Sequence, residues 1–218
     1  MLNNADVRKG IAKFIDPVAK KLLDIGVTPD AITYVGTLGV SASALWFFPR
    51  GQFTIGVIVI LLFVFSDLLD GTMARMSNRA GPWGNFLDST LDRIADGAVF
   101  GGILIYFATQ AEPLAAAATW VCLVGGFTIS YAKARAESVG ATANVGIAER
   151  AERLILVLAA AFIAGFGVPW ILQGAVLLLA ILVLITIGQR FAKVKSQLHP
   201  MRTSGAGPDA PADGDDAS

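Results

Sequence analysis

The sequence predicts an all-α, polytopic membrane protein with six transmembrane helices and an N-terminal interfacial amphipathic helix. Three observations predict it. Hydrophobic residues make up 55% of the 218-residue chain and mean hydropathy is +0.63, while only 16% of residues are charged; a soluble domain carries about a quarter charged residues. Apolar runs near or above the length of a bilayer span recur along the chain. The basic residues gather in alternate connecting segments, the pattern left by a chain that crosses a membrane repeatedly.

Residues 5–24 form the interfacial element: Val7, Ile11, Phe14, Ile15, Val18, Leu22 and Leu23 recur at helical spacing, with Arg8, Lys9, Lys13, Lys20 and Lys21 between them. The stretch before it is polar, with no short apolar core and cleavage site, so no secretory signal peptide is expected. Six spans follow, at about 31–48, 53–75, 85–108, 114–135, 150–167 and 169–191. They are separated by Pro49-Arg50-Gly51, the Ser77–Pro82 loop, Glu112-Pro113, the Gly140–Gly146 segment and the Gly165–Pro169 turn. The spans make one domain, 29–195, behind a cytoplasmic N-terminal segment, 1–28. The tail 199–218, rich in Gly, Pro, Ala and Asp, has the composition of a disordered segment.

Arg75 and Arg79, then Lys133, Arg135, Arg150 and Arg153, then Arg190, Lys193, Lys195 and Arg202 lie on the same side as the basic N-terminus, whereas the opposite loops carry only Arg50. Both termini are expected in the cytoplasm, across the cell membrane. The formal net charge is zero, so no nucleic-acid partner is expected. The single cysteine, Cys122, excludes a disulfide within the chain and reads as apolar filler.

Five acids stand where a span should hold none: Asp67, Asp70, Asp88, Asp92 and Asp96. An aspartate at a helix centre costs on the order of 2.5–3.5 kcal/mol on insertion scales, and its default reading is functional. Asp67 and Asp70 are three apart at the cytoplasmic end of span two, and Asp88 and Asp92 are four apart at the start of span three. Each pair projects from one helix face, and the short connecting loop lets the pairs face one another. Converging carboxylates repel unless cations neutralise them, and an oxygen-only ligand set suits Mg²⁺ or Mn²⁺. Gly71 leaves room beside the acids, Gly81 and Gly84 keep the loop permissive, and Arg75 is placed to fork onto phosphate oxygens. Two other readings of the acids are ion pairing with Arg75, Arg79 and Arg93, and the cation pathway of a coupled transporter.

The order Asp67-Leu-Leu-Asp70-Gly71-Thr-Met-Ala74-Arg75, eight residues, Gly84, three residues, Asp88, three residues, Asp92 matches every fixed position of the signature D-x2-D-G-x2-A-R-x8-G-x3-D-x3-D. On this motif the chain resembles the CDP-alcohol phosphotransferase family. The resemblance implies a six-helix fold, usually homodimeric, and a reaction in which a hydroxyl attacks the β-phosphate of a CDP-lipid and CMP leaves. It implies that Asp67, Asp70, Asp88 and Asp92 hold two Mg²⁺ or Mn²⁺ ions, that Asp92 is also the general base, and that Gly71 and Arg75 contact the CDP group. Thr28-Pro29-Asp30-Ala31-Ile32-Thr33 is similar to the family's lead into span one, which would bring Asp30 and Thr33 to the cytidine, although a Thr/Asp cap with proline is also an ordinary helix start. Where family members often carry a hydroxyl residue this chain has Gly81, whose contact would come from the backbone.

The acceptor is addressed by the cytoplasmic ends of spans four to six. Lys133 and Arg153 lie on the side where the acids open, as an anionic acceptor requires; the aromatic cage that choline favours has no counterpart. Pairing of these cations with Glu137, Glu149 and Glu152 is the plainer alternative. The runs Lys133-Ala-Arg135-Ala-Glu137 and Glu149-Arg150-Ala-Glu152-Arg153 resemble the actinobacterial branch of the family that joins CDP-diacylglycerol to inositol 1-phosphate. On that resemblance Lys133, Arg153 and Arg190 would bind the acceptor phosphate, followed by Arg135 and Arg150, then Ser130. Glycerol 3-phosphate is the alternative acceptor. Gly101-Gly102 and Gly125-Gly126 indicate close helix packing, in the bundle or at a dimer interface.

Overall fold

Proline starts most of the long helices. Pro29, Pro82, Pro113 and Pro169 each occupy the first helical position, where a missing N–H costs nothing and the fixed φ suits the turn. The computed structural model describes residues 15–77 and 81–204, without the side chains of 66–68 and 199–204. Among these residues the chain is helical and contains no strand. The elements are α1 (15–24), α2 (Pro29–Phe47), a 3-10 turn (Phe48–Arg50), α3 (Phe53–Val64), α4 (Ser66–Met76), α5 (Pro82–Thr109), α6 (Pro113–Ser138), α7 (Arg150–Ala164) and α8 (Pro169–Ser204).

Four runs are long and apolar enough to cross a membrane: Pro29–Arg50, Phe53–Met76, Pro113–Ser138 and Pro169–Leu198. The chain is membrane-embedded. The other two expected spans differ for physical reasons. Helix α5 has 28 residues, but its first fifteen carry Asp88, Asp92, Arg93 and Asp96. Helix α7 has 15 residues, about 22 Å at 1.5 Å per residue, because it ends at Ala164.

Two further boundaries depart from expectation. The second apolar run breaks at Phe65 into α3 and α4, where Ser66-Asp67 brings residues that favour caps over helix interiors. Helix α8 continues to Ser204, into the stretch assigned to the tail; residues 190–198 contain neither glycine nor proline. Residues 205–218 of the tail and 5–14 of the amphipathic segment lie outside the described residues.

One buried cluster joins α2, α3 and α5–α8, including Ala44, Phe48, Ile60, Phe100, Ile103, Cys122, Val157 and Val176. Large apolar side chains such as Leu38, Leu62, Leu114, Ile155 and Trp170 are exposed, as expected of a bundle whose solvent is lipid. Gly102 and Gly125 serve packing inside the bundle. A Cβ on Gly102 would lie 2.6 Å from the Ala44 carbonyl oxygen, so α2 and α5 touch there, and one on Gly125 would lie 2.2 Å from Val183 Cγ1 on α8.

The segment between α6 and α7 is tied to α8. Thr142 N–H donates to Gln197 Oε1 (2.9 Å), Gln197 Nε2 donates to the Thr142 carbonyl (2.8 Å), and Ala148 N–H donates to Thr186 Oγ1 (3.1 Å). Gly146 has φ +140, and a Cβ there would lie 2.4 Å from Thr186 Cγ2, so this crossing requires glycine. The ties fix the start of α7, which carries Glu149, Arg150 and Arg153.

Candidate active site

The N-termini of α2 and α5, residues 70–75 of α4 and Arg150 of α7 surround a cavity of about 410 Å³. Thr28 caps α2 by accepting from Ala31 N–H (3.2 Å), which fixes the following turn. Thr33, buried one turn further, donates its hydroxyl to Asp70 Oδ2 at 2.7 Å. Asp30 accepts from Trp83 Nε1 at 2.9 Å, joining the starts of α2 and α5.

Asp30, Thr33, Asp70, Gly71, Arg75, Gly81, Asp88 and Asp92 all line this cavity, so the residues expected at the CDP group and three of the four signature acids come together. Asp67 is on α4 one turn before Asp70, and its side chain lies outside the described ones. Gly81 and Gly84 would each meet nothing within 4 Å if given a Cβ, and Gly81 has an ordinary extended φ of −175. Their effect here is to leave space. Gly71 sits 3.6 Å from Arg75 Nη1 by the same measure, and Arg75 Nη2 donates to Thr72 Oγ1 at 3.0 Å.

The donor set facing the cavity is carboxylate oxygen, with no histidine or cysteine in the lining, which fits a hard divalent cation. Among the described residues no three acidic, His or Cys side chains form a closed ligand group. Asp92 instead pairs with Arg150 Nη2 at 2.7 Å and Arg93 Nη2 at 3.6 Å, and Asp70 holds the Thr33 hydroxyl.

A second cavity, about 380 Å³, is basic. Lys133, Arg150, Arg153, Arg190 and Ser130 line it, as expected for the acceptor side, together with Ser89, Arg93, Glu137 and Glu149. Arg135 does not line it; it is exposed and donates to Ser138 Oγ at 3.1 Å. Arg190 is 4% exposed and is held by the Val145 carbonyl (3.0 Å), the Ile129 carbonyl (2.7 Å) and, at 3.5 Å, Glu149 Oε1. Arg153 donates to the Ala148 carbonyl at 3.1 Å, and Arg93 to the Ser130 hydroxyl. The Nε atoms of Arg93 and Arg153 are buried without a hydrogen-bond partner among the described residues. Arg93, Lys133, Arg150, Arg153 and Arg190 give the cavity a cationic lining, which offers a place for an anion.

Arg150 lines both cavities. The acid site and the basic site therefore meet at the Asp92–Arg150 pair. Sequence reasoning gave Arg93 only an ion-pairing role and did not find Ser89; Ser89 and Arg93 are four apart on α5, and Ser89 directly follows Asp88.

An acid cavity walled by Asp70, Gly71, Ala74, Arg75, Gly84, Asp88 and Asp92 of the D-x2-D-G-x2-A-R-x8-G-x3-D-x3-D signature defines a class of enzyme. Residues 26–187 match the CDP-alcohol phosphatidyltransferase family, and the chain belongs to that family. It is 47% identical over 202 residues to a phosphatidylinositol phosphate synthase of Streptomyces avermitilis, covering 89% of this chain and 83% of that one. It is 44% identical over 214 residues to a phosphatidylinositol phosphate synthase of Mycobacterium marinum, covering 96% and 91%. The fold superposes on the crystal structure of Mycobacterium tuberculosis phosphatidylinositol phosphate synthase with CDP-DAG bound, with TM-score 0.80, 43% identity and coverage of 85% of this chain and 95% of that one. The structure of that enzyme in complex with manganese and citrate gives TM-score 0.78 at 44% identity, covering 82% and 87%.

Proposed function

We propose that the chain transfers the phosphatidyl group of CDP-diacylglycerol to inositol 1-phosphate, giving phosphatidylinositol phosphate and CMP. The observation that carries this reading is the junction at Arg150 of a carboxylate cavity with a basic one lined by the cationic donors of Arg93, Lys133, Arg153 and Arg190. An uncharged acceptor such as free inositol gives those donors nothing of matching charge. The names of the relatives support the same acceptor.

In this reading the CDP group lies along Asp30, Thr33, Gly71, Arg75 and the Gly81 backbone. The acceptor phosphate lies among Lys133, Arg153 and Arg190, with Arg150 and Ser130 beside it. The acceptor hydroxyl then points toward Asp92. Its oxygen forms a bond to the β-phosphorus of CDP-diacylglycerol as the bond from that phosphorus to the CMP oxygen breaks. Asp92 takes the hydroxyl proton as general base. Asp67, Asp70, Asp88 and Asp92 would hold the divalent metal, two Mg²⁺ or Mn²⁺ ions. When bound, these neutralise the pyrophosphate and stabilise the charge on departing CMP. Arg150 must share Asp92 with that metal, and its place in both cavities gives its head a second destination on the acceptor phosphate.

The same reading places six spans in the cell membrane by adding α5 and α7 to the four apolar runs, with α1 in the interface. The termini and both cavities face the cytoplasm, the lipid arrives sideways from the bilayer, and two copies form a homodimer.

The test is CMP release by purified protein in detergent with CDP-diacylglycerol and Mg²⁺, comparing inositol 1-phosphate, free inositol and glycerol 3-phosphate. Release with inositol 1-phosphate alone is expected. Release with glycerol 3-phosphate alone keeps the reaction and replaces the acceptor.

A further inference from the structure

Asp96 is the intramembrane acid that the reaction above leaves unused. It lies one turn beyond Asp92 on α5 and is 5% exposed. Its two carboxylate oxygens face different arginines: Oδ1 accepts from Arg150 Nε at 3.2 Å, and Oδ2 is 3.6 Å from Arg153 Nη2. Both arginines come from the first turn of α7, three residues apart and so on one face of the helix.

The two arginines lead to different places. Arg150, held at Nε by Asp96, turns its Nη2 to Asp92 in the acid cavity. Arg153, 1% exposed, has the Ala148 carbonyl as its other partner and lines the basic cavity. We propose that Asp96 is a positioning residue that aims Arg150 and Arg153 at the seam between the two cavities, setting affinity for the phosphate-bearing acceptor without touching either substrate. This rests on the reading of the basic cavity as the acceptor site.

The charge balance explains why an acid is needed there. Asp92 and Asp96 face Arg150, Arg153 and Arg93. Without the Asp96 charge, Arg150 keeps Asp92 as its one counter-charge among the described residues and is drawn to the acid side. Arg153 loses the one carboxylate it pairs with among the described residues while remaining buried, and a buried charge stripped of its partner reorients or disrupts its surroundings. A residue that merely neutralised charge for folding would lower stability without separating the two substrates.

The experiment measures KM for each substrate in wild type, Asp96→Asn and Asp96→Glu, with CMP release as readout and thermal melting as a check of folding. Asp96→Asn keeps the shape and removes the charge. Its acceptor KM is expected to rise about tenfold or more, the loss expected of hydrogen bonds to a charged group. Its CDP-diacylglycerol KM is expected to stay within about twofold. Asp96→Glu restores the charge one methylene out of place and is expected to recover part of the acceptor affinity. An unchanged acceptor KM, or equal rises in both KM values, overturns the proposal. If Asp96→Asn does not fold, Asp96→Glu decides: a rise confined to the acceptor KM supports positioning, and no rise or a joint rise overturns it. Wild type separates the two claims. If it releases no CMP with any phosphorylated acceptor, the functional reading fails and this proposal with it; if it turns over normally and the variants match it, only the positioning role fails.

Discussion

Gly102→Ala tests how closely the α2–α5 contact governs the site. The new Cβ would lie 2.6 Å from the Ala44 carbonyl oxygen, with the Ala44 carbonyl carbon at 3.2 Å and Phe48 Cβ at 3.3 Å. Ordinary contact begins at 3.4 Å, so the obstacle is backbone and must retreat by the difference, about 0.8 Å. Overpacking of this kind costs about 1–3 kcal/mol. Alanine also gains up to about 1 kcal/mol of helix propensity over glycine. The control is one residue away: Gly101 would meet nothing within 4 Å, so Gly101→Ala gains the propensity without the clash. The difference between the variants isolates the contact. At about 2–4 °C per kcal/mol for a chain of this size, Gly102→Ala should melt about 2–12 °C below Gly101→Ala in detergent. Helices α2 and α5 carry Asp30, Thr33, Asp88 and Asp92, so pushing them apart reaches the acid cavity. A misplacement near 1 Å lowers turnover by up to about a hundredfold. Equal melting temperatures and equal CMP release for the two variants would refute the reasoning.

Three further outcomes follow from the site. Asp92→Asn should lower kcat by about 10²–10⁴-fold, the contribution of a general base, while retaining CDP-lipid binding measured by displacement; near-normal turnover removes Asp92 from that role. Lys133→Gln should raise the acceptor KM about tenfold, whereas Arg135→Gln, whose side chain lies outside the basic cavity, should leave kinetics within about twofold; the reverse order would move the acceptor site. Chelation with EDTA should abolish CMP release, and Mg²⁺ or Mn²⁺ should restore it, followed as activity against added metal; activity that survives chelation contradicts a metal role for the acids.

Much of the fold was legible because two local signals agree: apolar runs of span length and prolines at helix starts. The break at Phe65 was hidden by the unbroken apolar run from Ile55 to Phe65, which reads alike for one helix or two. The shortness of α7 was hidden likewise, since Gly165-Phe166-Gly167 is apolar in composition but ends the helix. At the site, the spacing on adjacent helices anticipated that Asp70, Asp88 and Asp92 share one cavity, and the lead into the first long helix anticipated Thr33 beside them. The arginine network was not legible. The Arg150–Asp96 bond joins residues 54 apart, and its formation depends on how the segment 139–149 is tied to α8 through Thr142, Gln197 and Thr186. Arg135 illustrates the converse. It shares a short basic run with Lys133, but the bundle turns Lys133 into the cavity and leaves Arg135 outside.

The most direct test follows the acceptor's own phosphate. Inositol 1-phosphate carrying radiolabelled phosphorus is incubated with CDP-diacylglycerol, Mg²⁺ and the purified chain, and the organic phase is counted and its lipid identified. The account predicts that label moves into the organic phase as phosphatidylinositol phosphate, mole for mole with the CMP released. Label that stays in the aqueous phase while CMP is released would show hydrolysis or another acceptor, and would contradict transfer to a phosphorylated inositol.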